Sequence, residues 1–172
     1  MKTSIKKILK LSTLLISSLL IATASAQYYR FMYISGTVTI SAGGLVWVKG
    51  DQAGTAVSIS GSTATVTLSL NNGTISNFTG YLYLKNLDGT QHSITINITD
   101  AANSELYALN GFNITIYNNS TGDYIGSLNV LSNTSYYPGS ISGGAVWHIT
   151  FQIETTPGSS GSDDFAVQFT YE

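Results

Sequence analysis

Seven N-x-[ST] sequons are the densest chemical signal in this 172-residue sequence, beginning at Asn72, Asn77, Asn97, Asn113, Asn118, Asn119 and Asn133. The motif is the acceptor for N-glycans, and a glycan needs an exposed side chain. Asn118 and Asn119 overlap, so one of that pair at most is expected to be used. Asn97 and Asn113 fall on the outward phase of alternating segments, and the others lie near turns. The competing reading is an outward polar face that carries no sugar.

Other chemistry is sparse. His92 and His148 are the two histidines, and there is no cysteine. Neither HExxH nor H-x-H occurs, so no zinc site is expected. No G-x-S-x-G elbow is present, and Gly158-Ser159-Ser160-Gly161 reads as a loop. Asp163 and Asp164 are adjacent, so on a strand they point to opposite faces and cannot flank one glycosidic bond. Asp100, Asn103 and Glu105 lack the spacing of an EF-hand, and capping or solvation is the expected role. The sequence therefore predicts no catalytic residues, no metal site and no cofactor.

Aromatic residues form the remaining candidates. Eleven tyrosines are present. Tyr81 and Tyr83 alternate with Leu82 and Leu84, and Tyr136-Tyr137 precede Pro138. Exposed rings on a β-sandwich can stack on sugars or pack between subunits, although tyrosine is also simply a good strand residue.

The elements that position these residues are strands. Lys2, Lys6, Lys7 and Lys10, an apolar run over 11–23 and Ala24-Ser25-Ala26 have the pattern of a signal peptide over residues 1–26. The apolar run is short for a membrane span. Cleavage would leave 146 residues from Gln27, one domain in size, with no membrane span and an extracellular or cell-surface location. Four of the seven basic residues precede Gln27, leaving three against nine acidic ones, a net charge of −6. That balance disfavours nucleic acid and anionic membrane surfaces, which need Lys and Arg.

The mature chain alternates with period two in Ala64–Leu70, Ile94–Thr99, Phe112–Tyr117, Trp147–Glu154 and Phe165–Tyr171. Shorter candidates lie at Gly36–Ser41, Leu45–Lys49, Thr55–Ser60, Gly80–Lys85 and Tyr124–Val130. Turn signals at Asn72-Gly73, Asp88-Gly89, Gly122-Asp123, Pro138-Gly139 and Gly143-Gly144 separate them. A helical turn is expected at Ala101–Leu109, capped by Asp100, and a flexible loop at Thr156–Ser162. The expected fold is an all-β antiparallel sandwich of about 9–10 strands, immunoglobulin-like or jelly-roll.

The segment Gln27, Tyr28, Tyr29, Arg30, Phe31, Met32, Tyr33, Ile34 is aromatic and β-prone, with apolar side chains in both phases. Such a strand is expected to be buried on both sides. It is either an ordinary first strand or a donor strand that completes a neighbour's sheet, with Gly36 as hinge. The domain plan is then a signal peptide at 1–26, an arm at 27–36 and a sandwich at 37–172.

This arm, followed by Ser35-Gly36-Thr37-Val38-Thr39-Ile40, resembles the subunits of archaeal extracellular filaments. These are of the thread and bundling-pilus type, similar to the TasA/camelysin biofilm-fibre family. The resemblance implies a glycosylated head-to-tail homopolymer, built by donor-strand complementation and serving adhesion or biofilm. The alternative is a monomeric carbohydrate-binding or adhesin domain using exposed Tyr and Trp. A third is a surface-layer-associated protein with no separate assembly.

Overall fold

The computed structural model describes residues 31–40 and 44–172. The expected signal peptide and Gln27, Tyr28, Tyr29 and Arg30 lie outside the described residues.

Among the described residues, eleven strands form two facing sheets. In chain order they are β1 (Phe31–Ile40), β2 (Leu45–Lys49), β3 (Val57–Ser60), β4 (Thr63–Asn71), β5 (Ile75–Asn86) and β6 (His92–Asp100). Then follow β7 (Tyr107–Asn118), β8 (Tyr124–Asn129), β9 (Ser135–Ile141), β10 (Val146–Thr155) and β11 (Gly161–Tyr171). The first sheet runs β3-β4-β1-β11-β6-β9 and the second β2-β5-β10-β7-β8. The expected all-β, two-sheet architecture is therefore present.

Alternation explains the layering, because every second side chain faces the partner sheet. Ala64, Val66, Leu68 and Leu70 of β4 and Phe165, Val167 and Phe169 of β11 are buried from one side. Leu82, Leu84, Phe112, Ile114, Ile116, Ile149, Phe151 and Ile153 are buried from the other. Edge-to-face ring pairs bridge the layers: Trp47 to Phe169 and Phe112 to Phe165, each with centroids 5.1 Å apart. Such pairs add about 0.5–1.5 kcal/mol beyond area burial.

One buried polar side chain pins a corner. Asn86 is fully buried, and its Nδ2 donates to the carbonyls of Thr90 (2.8 Å), Ser142 (3.1 Å) and Ile141 (3.2 Å). Its Oδ1 accepts the Asp88 N–H at 2.9 Å. The amide thus ties the end of β5 to the β9–β10 connection.

Four expectations are corrected. Pro138-Gly139 is not a turn but lies inside β9, the edge strand beside β6. The β6–β9 register shifts between Ile94 and Ile96, and an irregular edge strand tolerates the missing N–H of proline. The expected helical turn shrinks to a 3-10 turn at Ser104–Leu106, capped by the Asn103 side chain rather than Asp100. Asp100 ends β6, and Tyr107 onward joins β7 because the buried Tyr107 and Phe112 belong to that sheet. The sandwich is also not wholly antiparallel: β1 runs parallel to β11, from Met32↔Gly161 to Ile40↔Phe169. Finally, β1 is not buried on both faces. Met32 and Ile34 are fully buried, whereas Tyr33 is 52% exposed.

Candidate functional site

β1 sits between β4 and β11 in the middle of its sheet. Its antiparallel register with β4 runs from Phe31↔Asn71 to Thr39↔Thr63. Phe31, Met32, Tyr33 and Ile34 therefore lie in this chain's own sheet, as an ordinary first strand does. The strand is continuous through Gly36, whose φ is not in the left-handed region. A Cβ on Gly36 would overlap the Cε1, Cζ and Cδ1 atoms of the Phe165 ring. The glycine serves close packing of that ring, a role distinct from a hinge.

The sequons differ in what their amides already do. Asn72 Nδ2 donates to the Ser159 carbonyl (2.7 Å), and its Oδ1 accepts the Gly158 N–H (2.9 Å). The β10–β11 loop, expected to be flexible, is tied to the β4–β5 turn by this amide. Asn113 Nδ2 donates to the Asn110 carbonyl at 2.7 Å. Asn97 accepts from the Ser135 hydroxyl at 2.6 Å through Oδ1. Asn118 accepts from the Ser120 and Thr121 N–H groups through Oδ1. Asn77, Asn119 and Asn133 are exposed.

The two histidines belong to different sheets, His92 on β6 and His148 on β10. His92 Nε2 lies 2.8 Å from Asp88 Oδ2. The Asp163 carboxylate accepts from the Asn103 N–H and the Tyr107 hydroxyl, both at 2.9 Å. Burial and that carboxylate push the Tyr107 phenol well above its ordinary pKa. Among the described residues no three His, Asp or Glu side chains cluster to hold a metal.

A more organised arrangement lies on the outer face of the second sheet. The registers put Val48, Tyr83, His148, Tyr117 and Tyr124 in one row across β2, β5, β10, β7 and β8. Successive ring centroids are 5.3 Å (Tyr83–His148), 6.2 Å (His148–Tyr117) and 6.0 Å (Tyr117–Tyr124) apart. The next outward row holds Thr150, Thr115 and Ser127, the last two within 3.2 Å. A third row aligns Asn77, Gln152, Asn113 and Asn129, with Asn129 Nδ2 donating to Asn113 Oδ1 at 3.2 Å.

A backbone irregularity orients the central ring. The β5–β10 register slips between Ile149 and Phe151, opposite Gly80, whose φ is +72°. Glycine takes this left-handed geometry without the Cβ penalty and lets the strand bulge. The bulge aims the Gly80 N–H at His148 Nε2, 2.8 Å away. A backbone N–H can only donate, so Nε2 carries the lone pair and Nδ1 the proton. Burial lowers the His148 pKa, which favours the same neutral ring.

A concavity of about 420 Å³ opens beside this row, lined by Asn77, Thr79, Tyr117, Asn118, Asn119, Gly122, His148 and Thr150. Its lining carries carboxamides, hydroxyls and aromatic rings, with no Asp, Glu, Lys or Arg. The outward phases of Tyr83, Tyr117 and His148 are legible in the sequence, but their alignment in one row is not. Tyr81 instead packs edge-to-face on Phe78 at 5.4 Å. Trp47 and Trp147 are buried, so neither is available to stack on a ligand.

No protein-family model matches the chain, and no curated protein sequence matches it. Solved structures give distant likenesses. The VP2 subviral particle of infectious bursal disease virus is 10% identical, with a TM-score of 0.32. That match covers 81% of this chain and 31% of VP2, so this chain spans about a third of that protein. Pika GITRL is 13% identical with a TM-score of 0.25, covering 54% of this chain and 91% of the other. The yeast delta-COP-I mu-homology domain is 7% identical with a TM-score of 0.24, covering 83% and 96%.

Proposed function

We propose that this protein is a non-catalytic, extracellular structural subunit that polymerises head to tail by exchanging β1. The observation behind this reading is the place of β1. It is the first described strand, it lies mid-sheet, and its pairing with β11 is the one parallel pairing among the described strands. Removing β1 would open a groove between β4 and β11, and a second copy's β1 has the sequence to refill it. Exchange then trades identical contacts, which makes it a low-cost route to assembly, and head-to-tail exchange without closure makes filaments. Four residues, 41–44, connect β1 in one sheet to β2 in the other. In such a filament the sequons would carry N-glycans along the outer faces, and adhesion or biofilm formation would follow from the polymer.

A cysteine pair tests the exchange. Tyr33 pairs with Ser69 across β1 and β4, both side chains are exposed, and the chain has no cysteine of its own. Opposed residues in an antiparallel pair sit about 4.5–5.5 Å apart, within disulfide range. The Tyr33→Cys/Ser69→Cys protein, oxidised after assembly, is expected to run as a covalent ladder in denaturing gels without reductant. A single monomeric band with complete thiol loss would place β1 permanently in its own chain and overturn the proposal.

A further inference from the structure

We infer that the outer face of the β2-β5-β10-β7-β8 sheet is a binding site for a neutral oligosaccharide, centred on the row Tyr83–His148–Tyr117–Tyr124. This inference is independent of strand exchange, because the site uses no residue of β1.

Three properties of the face converge on that chemistry. The first is a line of rings in directly opposed positions on four adjacent strands, with centroids 5.3 to 6.2 Å apart. Tyr124 at the end of the row is 63% exposed, and Tyr83 and Tyr117 are partly exposed. The rings are not coplanar: Tyr83 and Tyr117 are tilted 31° and 42° from the His148 ring, and Tyr124 meets Tyr117 nearly edge-on at 72°, so the row offers apolar ring surface with polar hydroxyl tips rather than one flat plane. The apolar C–H faces of pyranose rings are the complement of such ring surface.

The second property is the order of the rows. The hydroxyl row of Thr150, Thr115 and Ser127 and the carboxamide row of Asn77, Gln152, Asn113 and Asn129 lie beside the rings. From the aromatic row to the carboxamide row is four residues along β10, about 13 Å at the usual strand rise. A ligand lying along that path meets the rings first, then the partly exposed hydroxyls of Thr115 and Ser127 beside the buried Thr150, then groups that both donate and accept. Carboxamides and hydroxyls match sugar hydroxyls, which also do both.

The third property is charge. No ionised side chain lines the concavity. Lys85 and Glu154 occur only one row beyond each end, opposite Val146 and Ile75 respectively. Burial lowers the His148 pKa, and its Nε2 is taken up in accepting the Gly80 N–H. A phosphate, sulfate or uronate would find no counter-charge within these rows, whereas a neutral sugar needs none. The volume of about 420 Å³ lies within the ~300–1,000 Å³ typical of small-ligand pockets.

The sugar has two possible sources. Asn77, Asn118 and Asn119 line the same concavity and are sequon residues. A glycan linked there would lie against the rings, and a glycan from another surface would compete for the same place.

The experiment uses the protein made without glycosylation and titrated calorimetrically with neutral hexasaccharides of glucose, mannose, galactose and N-acetylglucosamine. Heparin oligosaccharide serves as the charged comparison. Binding of at least one neutral hexasaccharide is expected, with none of heparin. Tyr117→Ala and Tyr124→Ala should each weaken binding about tenfold, and Tyr124→Phe, which keeps the ring, should retain it. Tyr137→Ala, on the other sheet, should leave it unchanged. Natively glycosylated protein that binds only after enzymatic deglycosylation would identify the attached glycan as the occupant. Equal binding before and after would identify an external one. Failure of all four hexasaccharides to bind at millimolar concentration would overturn the inference. So would binding insensitive to both alanine variants in correctly folded protein.

Discussion

Replacing Gly36 with alanine should destabilise the fold, although alanine is ordinarily the better strand residue. Gly36 pairs with Phe165 on one side and Val66 on the other. Its φ lies outside the left-handed region, so the backbone accepts an L side chain. On conformational grounds alone alanine gains about 0.5–1 kcal/mol over glycine within a strand. The obstacle is steric: the added Cβ overlaps the Phe165 ring. That ring is buried and has little room to move, because it packs on Phe112 at 5.1 Å and Phe151 at 6.3 Å. Overpacking a dense core costs about 1–3 kcal/mol. Because the ring is held on both sides, the steric cost falls in the upper half of that range, about 2–3 kcal/mol, leaving a net loss of about 1–2.5 kcal/mol once the strand preference is subtracted. With a urea m-value of about 2 kcal/mol/M, the middle of the usual range, the unfolding midpoint should fall by roughly 0.5–1.2 M at unchanged slope. Phe165→Leu in the same chain makes room for the methyl group. A double-mutant cycle should therefore show a favourable coupling of roughly 0.5–3 kcal/mol, the range for residues in contact. A Gly36→Ala protein as stable as the parent, or strictly additive effects, would refute the packing argument and return Gly36 to the role of hinge.

The remaining predictions concern His148, Asn86 and the sequons. Burial depresses the folded pKa of His148, so the unfolded chain binds more protons as pH falls below about 6.5, and stability contributed by this group declines from there through the lower folded pKa. NMR titration of the ring should give a midpoint below that of a model peptide, and His148→Gln should flatten this part of the stability profile; an unshifted midpoint would contradict the burial of the ring. Asn86→Leu leaves the Thr90, Ile141 and Ser142 carbonyls without its amide donor; only the bond to Ile141 is fully buried, so the thermal midpoint should drop by an amount equivalent to about 1–3 kcal/mol, the cost of one buried orphaned group. A loss under half that would mean water replaces the amide. Peptide mass mapping of native protein should find glycan at Asn77, Asn119 or Asn133 before Asn72 and Asn113, whose Nδ2 atoms already donate to backbone carbonyls; the reverse order would show that modification precedes these bonds.

Much of the architecture was legible locally. Ile94, Ile96 and Ile98 against Thr95, Asn97 and Thr99 declare both a strand and its buried face, because strand side chains alternate regardless of neighbours. The outward phases of His148 and Tyr83 followed from the same rule. The turn expected at Pro138 does not form, because the cost of a strand proline depends on whether the strand is central or at an edge, which is a property of the sheet. Asn103 displaced Asp100 as the cap because Asp100 was needed to extend β6 against Ala166 of β11.

The sequence by itself determined an all-β chain, the inward and outward face of most strands, and the lack of catalytic motifs. Tertiary structure alone decided which strands are neighbours. That choice set β1 parallel to β11, put the Phe165 ring over Gly36, and aligned Tyr83, His148, Tyr117 and Tyr124 in one row. The physical reason is that alternation is a local steric property of one strand. Register and strand order instead minimise the free energy of the whole core, through pairings between residues as distant in sequence as Met32 and Gly161.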